Sequence, residues 1–141
     1  QAGRNDFQTL KVARDNQSIF FYVQTTKSIS ENNSNNWMRL YLDIDRDFET
    51  GWKGYDFRIV RGNQLQKFRK GNWETISQVV HMISGNEMMI TLPRSIDDRL
   101  GEVLNLEFKW SDNMQDNTDP LDWYVNGDVA PGGRLNYIIK E

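Results

Sequence analysis

Three Gly-Asn pairs, Gly62-Asn63, Gly71-Asn72 and Gly85-Asn86, cut the middle of this chain into short runs rich in β-branched and aromatic residues. Each pair can supply the positive φ that a tight hairpin needs. The runs between them, "YDFRIVR", "QLQKFRK", "WETISQVVHMI" and "EMMITLP", therefore read as strands of an antiparallel meander. Upstream, "FQTLKVAR" and "SIFFYVQT" form a hairpin around the turn cluster "DNQ". In "WMRLYLDID", Met38, Leu40, Leu42 and Ile44 face one way and Arg39, Tyr41, Asp43 and Asp45 the other. "RSIDDRLG" reads as one short helical turn, "EVLNLEFKW" and "GRLNYIIKE" as further strands, and "TKSISENNSNN" and "SDNMQDNTDPLD" as loops. Turns recurring about every ten residues predict an all-β fold, an antiparallel β-sandwich of the jelly-roll or immunoglobulin-like sort, with residues 1–141 as a single domain.

Composition narrows the function. Five Trp, five Tyr and seven Phe weight the apolar content toward rings that suit a sheet. With no cysteine, a disulfide scaffold, thiolate-bound zinc and a cysteine nucleophile are excluded. A net charge of -3 with scattered Lys and Arg gives no footprint for nucleic acid. No apolar run approaches the roughly 20 residues of a membrane span, so no membrane insertion is expected. No signal peptide precedes Gln1, and the chain reads as a mature protein or an excised part of a larger one.

The stretch "YLDIDRDFETGWKGYDF" carries the strongest chemical signal. Asp43, Asp45 and Asp47 fall at alternate positions, so an extended backbone puts three carboxylates on one face, where their repulsion calls for an offset. Calcium, a hard cation that takes six to eight oxygens, would supply it, with Asp56 or Glu49 joining the cage. The EF-hand pattern itself fails, because Phe48 occupies the position of its glycine and Gly54 that of its bidentate glutamate. The reading ranked ahead of it is a turn without an ion, in which the carboxylates satisfy main-chain N–H groups and arginines.

"LYLDIDRDFETGWKGYDFRI", with "FKWSDN" and "NGDVAPGGRLNYII" downstream, resembles the β-sandwich domains related to family 9 carbohydrate-binding modules and DOMON domains. Thr50-Gly51-Trp52 leading to Gly54-Tyr55-Asp56 is its most specific part. The resemblance implies a carbohydrate-binding accessory module, often C-terminal in secreted or surface proteins of polysaccharide-degrading bacteria. Its partners would be a polysaccharide or oligosaccharide and an adjacent domain, its location secreted, periplasmic or on the outer cell surface. It also implies a structural Ca2+ and sugars held between tryptophans, although no motif places both members of such a clamp here. Haem, bound by some DOMON relatives, is not selected by the spacing of His81 and the methionines.

Aromatic faces complement the C–H faces of sugars. Trp52, Trp37 and Trp123 lie in or beside polar loops and are the candidate sugar-binding residues, with Trp52 and Trp123 the preferred pair; Trp73 and Trp110 read as core. The acids from Asp112 to Asp128 read as a solvated loop, "APGGR" as a turn, and His81 as a strand residue. No nucleophile elbow, phosphate loop or histidine metal motif appears, and a noncatalytic role is expected. The alternatives are a domain that packs against a catalytic partner and, third, a glycoside hydrolase with two facing carboxylates.

Overall fold

A computed structural model describes residues 7–29, 37–112, 128–130 (main chain only) and 136–141. Two antiparallel sheets face one another, as alternation predicts. The smaller has the order β1-β2-β8-β7, from β1 (Phe7–Arg14), β2 (Ser18–Thr25), β7 (Val80–Ser84) and β8 (Glu87–Pro93). The larger runs from β9 (Asn105–Asp112) through β3 (Arg39–Asp43), β4 (Phe57–Val60) and β5 (Gln64–Arg69) to β6 (Asn72–Gln78). Along the free edge of β9, β10 (Asp128–Ala130) pairs with Trp110–Asp112 and β11 (Tyr137–Lys140) with Asn105–Phe108.

The main core lies between the sheets. Ile19, Phe21, Val23, Met88, Ile90 and Leu92 point in from one side and Leu40, Leu42, Phe57, Ile59, Leu106 and Phe108 from the other. Phe21 and Phe108 meet edge to face across the gap, with ring centroids 5.1 Å apart.

Two expectations need correction. "WETISQVVHMI" is not one strand: it leaves the larger sheet after Gln78 and enters the smaller at Val80. Val79 makes the crossing, its side chain buried in the core and its N–H donated to the Asn63 carbonyl. Consecutive Val79 and Val80 face opposite ways, one buried in the core and the other exposed, so the alternation of side chains runs on through the crossing. "RSIDDRLG" holds two 3-10 turns, at Arg94–Ile96 and Asp98–Leu100. The hairpins also use their glycines differently. Lys70 (φ 50) and Gly71 (φ 82) form a type I′ pair with Asn72 already in the strand, whereas Gly85 (φ 58) comes first in its turn.

Arg94 is buried and donates from Nε to Leu100 O, from Nη1 to Asp15 O and from Nη2 to Glu102 O, at 2.7, 2.6 and 2.6 Å. One guanidinium thus ties the 3-10 turns to the first hairpin. Replacing it strands three carbonyls, and Arg94→Met is expected to cost about 3 kcal/mol in urea unfolding. A loss under about 1 kcal/mol would contradict this role.

Candidate metal centre and ligand face

β3 is buried on both faces, which is unusual for an antiparallel sheet with a solvent side. Leu40 and Leu42 belong to the main core, while Tyr41 anchors a second cluster on the outer face. What covers it is the turn 51–55. Trp52 and Tyr55 exchange main-chain bonds at 2.8 and 2.9 Å around Lys53 (φ 53) and Gly54 (φ 93), a type I′ turn that folds both rings onto Tyr41. Trp52 stacks on Tyr41 at 5.5 Å, Tyr55 lies 5.3 Å away, and Trp73 closes on Tyr41 edge-on at 6.2 Å.

The same turn delivers Asp56 to the end of β3. One oxygen each from Asp43, Asp45 and Asp56 lies within 4.8 Å of the others. Asp47 stands outside this group, exposed, with Oδ1 accepting from the Glu49 N–H at 2.9 Å. The reason is local. Asp45 Oδ1 accepts from the Asp47 N–H at 2.9 Å, which reverses the chain and turns the third aspartate away.

Partners within the group fall short of its charge. Thr50 Oγ1 lies 2.7 Å from Asp45 Oδ2, 3.1 Å from Asp56 Oδ1 and 3.0 Å from Asp47 O, yet a hydroxyl has one proton to donate. Ile44 N–H donates to Asp56 Oδ2 at 3.0 Å and Arg99 Nη1 to Asp45 Oδ2 at 3.2 Å. Asp43 is only 6% exposed, and its Oδ1 is buried with no hydrogen-bond partner. Burial, the shared hydrogen bond with Asp45 and the Asp56 charge push Asp43 up to about 7. Burial also raises Asp56. Burial pushes Asp45 upward too, but the bonds from Thr50 and the Asp47 N–H outweigh it and hold Asp45 below the usual range. An all-oxygen donor set with an unsatisfied buried oxygen fits a hard divalent cation such as calcium. Asp43, Asp45 and Asp56 would hold it, with Thr50 alongside.

Beyond Tyr41 the outer face becomes basic. Lys109, Tyr41, Arg58 and Gln66 stand in one row across β9, β3, β4 and β5. Arg39 is two residues before Tyr41 on the same face, and its Nη1 lies 3.5 Å from the Tyr41 hydroxyl. Arg58 Cζ sits 4.6 Å from the Trp73 ring centroid, and Arg58 Nε donates to Gln66 Oε1 at 2.6 Å. Burial pulls Lys109 down to about 8 and lowers Arg58, with the Arg39 charge adding to the effect on Arg58. Arg58 Nη1, Trp73 Nε1 and Ser111 Oγ are buried without partners. Each such donor costs about 1–3 kcal/mol in a folded protein, so this face holds unspent hydrogen-bonding capacity.

No family model, curated protein or solved structure matches this chain.

Of the expected sugar-binding residues, Trp52 is buried in the outer cluster and shows only its rim. Trp37 does not face a ligand: although it ends a polar loop, its ring lies at 0% exposure in the main core. Trp123 lies outside the described residues, as do Asp116, Asp119, Asp122 and the turn at 131–134. His81 packs beside Gly62, where an added Cβ would come within 3.0 Å of its ring. Trp73, read as core, is half-buried on the outer face. Tyr41, Tyr55, Arg58, Trp73 and Lys109 were missed as a group. The outward parity of Tyr41 in "RLYLD" was the available signal, but the strands flanking β3 come from distant parts of the chain.

Proposed function

We propose that this domain is a noncatalytic carbohydrate-binding module whose binding face is the outer side of the larger sheet, braced by a structural cation at Asp43, Asp45 and Asp56. The observation that carries this reading is the second aromatic cluster on the outer face, in which Tyr41, Trp52 and Tyr55 are buried and hold up Phe68 and Trp73, the rings that stay partly exposed. Rings beside amides and cations are what a sugar asks for: apolar faces for its C–H groups and hydrogen-bonding groups for its hydroxyls. Gln66 and Thr75, joined at 3.1 Å, and Asn136, which accepts from the Tyr55 hydroxyl at 2.6 Å, supply the latter.

Affinity electrophoresis in gels containing polysaccharide, with calcium present, tests this. Wild type is expected to be retarded by at least one polysaccharide, and Trp73→Ala to weaken that retention about tenfold while keeping the wild-type far-UV circular dichroism. No retention in any gel would remove the reading.

The outer face of the smaller sheet favours a second reading. Val80 and Met82 are each 66% exposed, and the register sets Met82 beside Met89 and Tyr22, and Val80 beside Thr91 and Phe20. A continuous apolar patch suits packing against an adjacent domain. In that case no polysaccharide retards the protein, and Val80→Asp with Met82→Asp improves its solubility.

A further inference from the structure

We propose that the outer face of the larger sheet selects acidic saccharides, with Arg58 receiving the carboxylate of a uronic acid. The inference rests on the carbohydrate-binding reading and names its substrate class.

Three cationic side chains, Arg39, Arg58 and Lys109, surround the single phenol of Tyr41 by strand register. The Arg39 and Arg58 charges act on each other in a partly dry setting, and Arg58 also hydrogen-bonds Tyr41. Arg58 has spent Nε on Gln66, but its Nη1 is buried without an acceptor, and among the described residues it forms no ion pair. Its neighbour Trp73, whose ring centroid lies 4.6 Å from Arg58 Cζ, holds an idle Nε1 donor. These groups are idle as donors, and an anion is the acceptor they lack. Of the acids on this face, Asp43 and Asp56 belong to the carboxylate group at the end of β3 and Glu107 pairs with Arg46.

Access and shape define the anion further. Arg58, Gln66 and Trp73 are half-buried, whereas Arg39, Lys109 and Ser111 are buried; the idle Arg58 Nη1 and Trp73 Nε1 are themselves covered, so an anion reaches them through a shift of these partly exposed side chains. A guanidinium matches a planar carboxylate bidentately, and the adjoining rings suit the sugar that carries it.

The test measures binding of the calcium-loaded chain to oligogalacturonate, to a sulfated oligosaccharide and to neutral oligosaccharides of equal length by calorimetry. The indole 1H–15N resonance of Trp73 is followed with monomeric glucuronate. Oligogalacturonate is expected to bind at least about tenfold tighter than the neutral series, and Arg58→Gln to abolish that advantage. Arg58→Lys, which keeps the charge without the fork, is expected to lose several-fold, and serves if Arg58→Gln does not fold. Equal or better binding of neutral sugars overturns the inference but leaves the module reading standing. Tighter binding of the sulfated sugar overturns the carboxylate assignment. If no oligosaccharide binds but glucuronate moves the Trp73 indole in wild type and not in Arg58→Gln, the anion site stands and the module reading falls. If glucuronate also has no effect, both fall.

Discussion

Gly51→Ala is expected to destabilise the domain by about 4 kcal/mol and to dismantle the outer cluster. Gly51 has φ +68, and a Cβ there would lie 2.1 Å from Tyr55 O, 2.6 Å from Tyr55 C and 3.0 Å from Asp56 N. All three are main-chain atoms, so no side-chain rotation relieves the clash. The turn must open, which breaks the two Trp52–Tyr55 bonds, lifts both rings from Tyr41 and shifts Asp56 from the other carboxylates. Gly71→Ala is the control. Its φ is also positive, at +82, but an added Cβ meets nothing within 4 Å, so only about 1 kcal/mol of backbone strain is expected. Urea unfolding measures stability and near-UV circular dichroism the ring packing. Equal costs at the two glycines would mean that the turn does not organise the outer face.

The carboxylate group sets a second large effect, on pH. In chelator, stability is expected to fall as pH rises from about 4 to about 7, the reverse of the usual aspartate. Asp43 is raised from 3.8 to about 7, so between those values the folded state holds a proton that the unfolded state has released. Its contribution is therefore fully present at the low end and lost as pH climbs through 7. Asp56 acts in the same direction, and the lowered Asp45 opposes them. At about 1.4 kcal/mol per unit, Asp43 alone corresponds to a loss near 4 kcal/mol, which Asp56 adds to and Asp45 offsets. Millimolar calcium is expected to restore this at pH 7.5 and to add nothing at pH 5, where a proton occupies the ligand. Asp43→Asn imitates the protonated acid. It should raise the melting temperature in chelator at pH 7.5 and lose the calcium response. A variant that melts below wild type in chelator, or that still responds to calcium, would contradict the electrostatic account.

Much of the sandwich could be read from the sequence because its signals are local. β1, β2 and β8 were delimited to the residue, since a period of two and a turn cluster mark both ends of each. The sheet change at Val79 was not legible: Val79 and Val80 alternate inward and outward as in a continuous strand, and nothing local says that the chain then joins another sheet. The carboxylate site was legible in part. Asp43, Asp45 and Asp56 were among the candidates, but Asp47 was drawn in by a spacing that holds only while the strand continues, and β3 ends at Asp43. Hidden altogether was the dryness of the outer face. Arg39, Tyr41, Arg58 and Lys109 read as ordinary outward polar positions, and their burial follows from pairings between segments tens of residues apart.

The most direct measurement is a 1H–15N titration of the calcium-loaded domain with the polysaccharide fragment that retards it most. Shifts are expected at Tyr41, Arg58 and Gln66 and at the Trp73 indole, saturating together, while Val80, Met82 and Met89 stay unmoved. Shifts confined to the smaller sheet, or none at saturating sugar, would contradict the assignment of the ligand face.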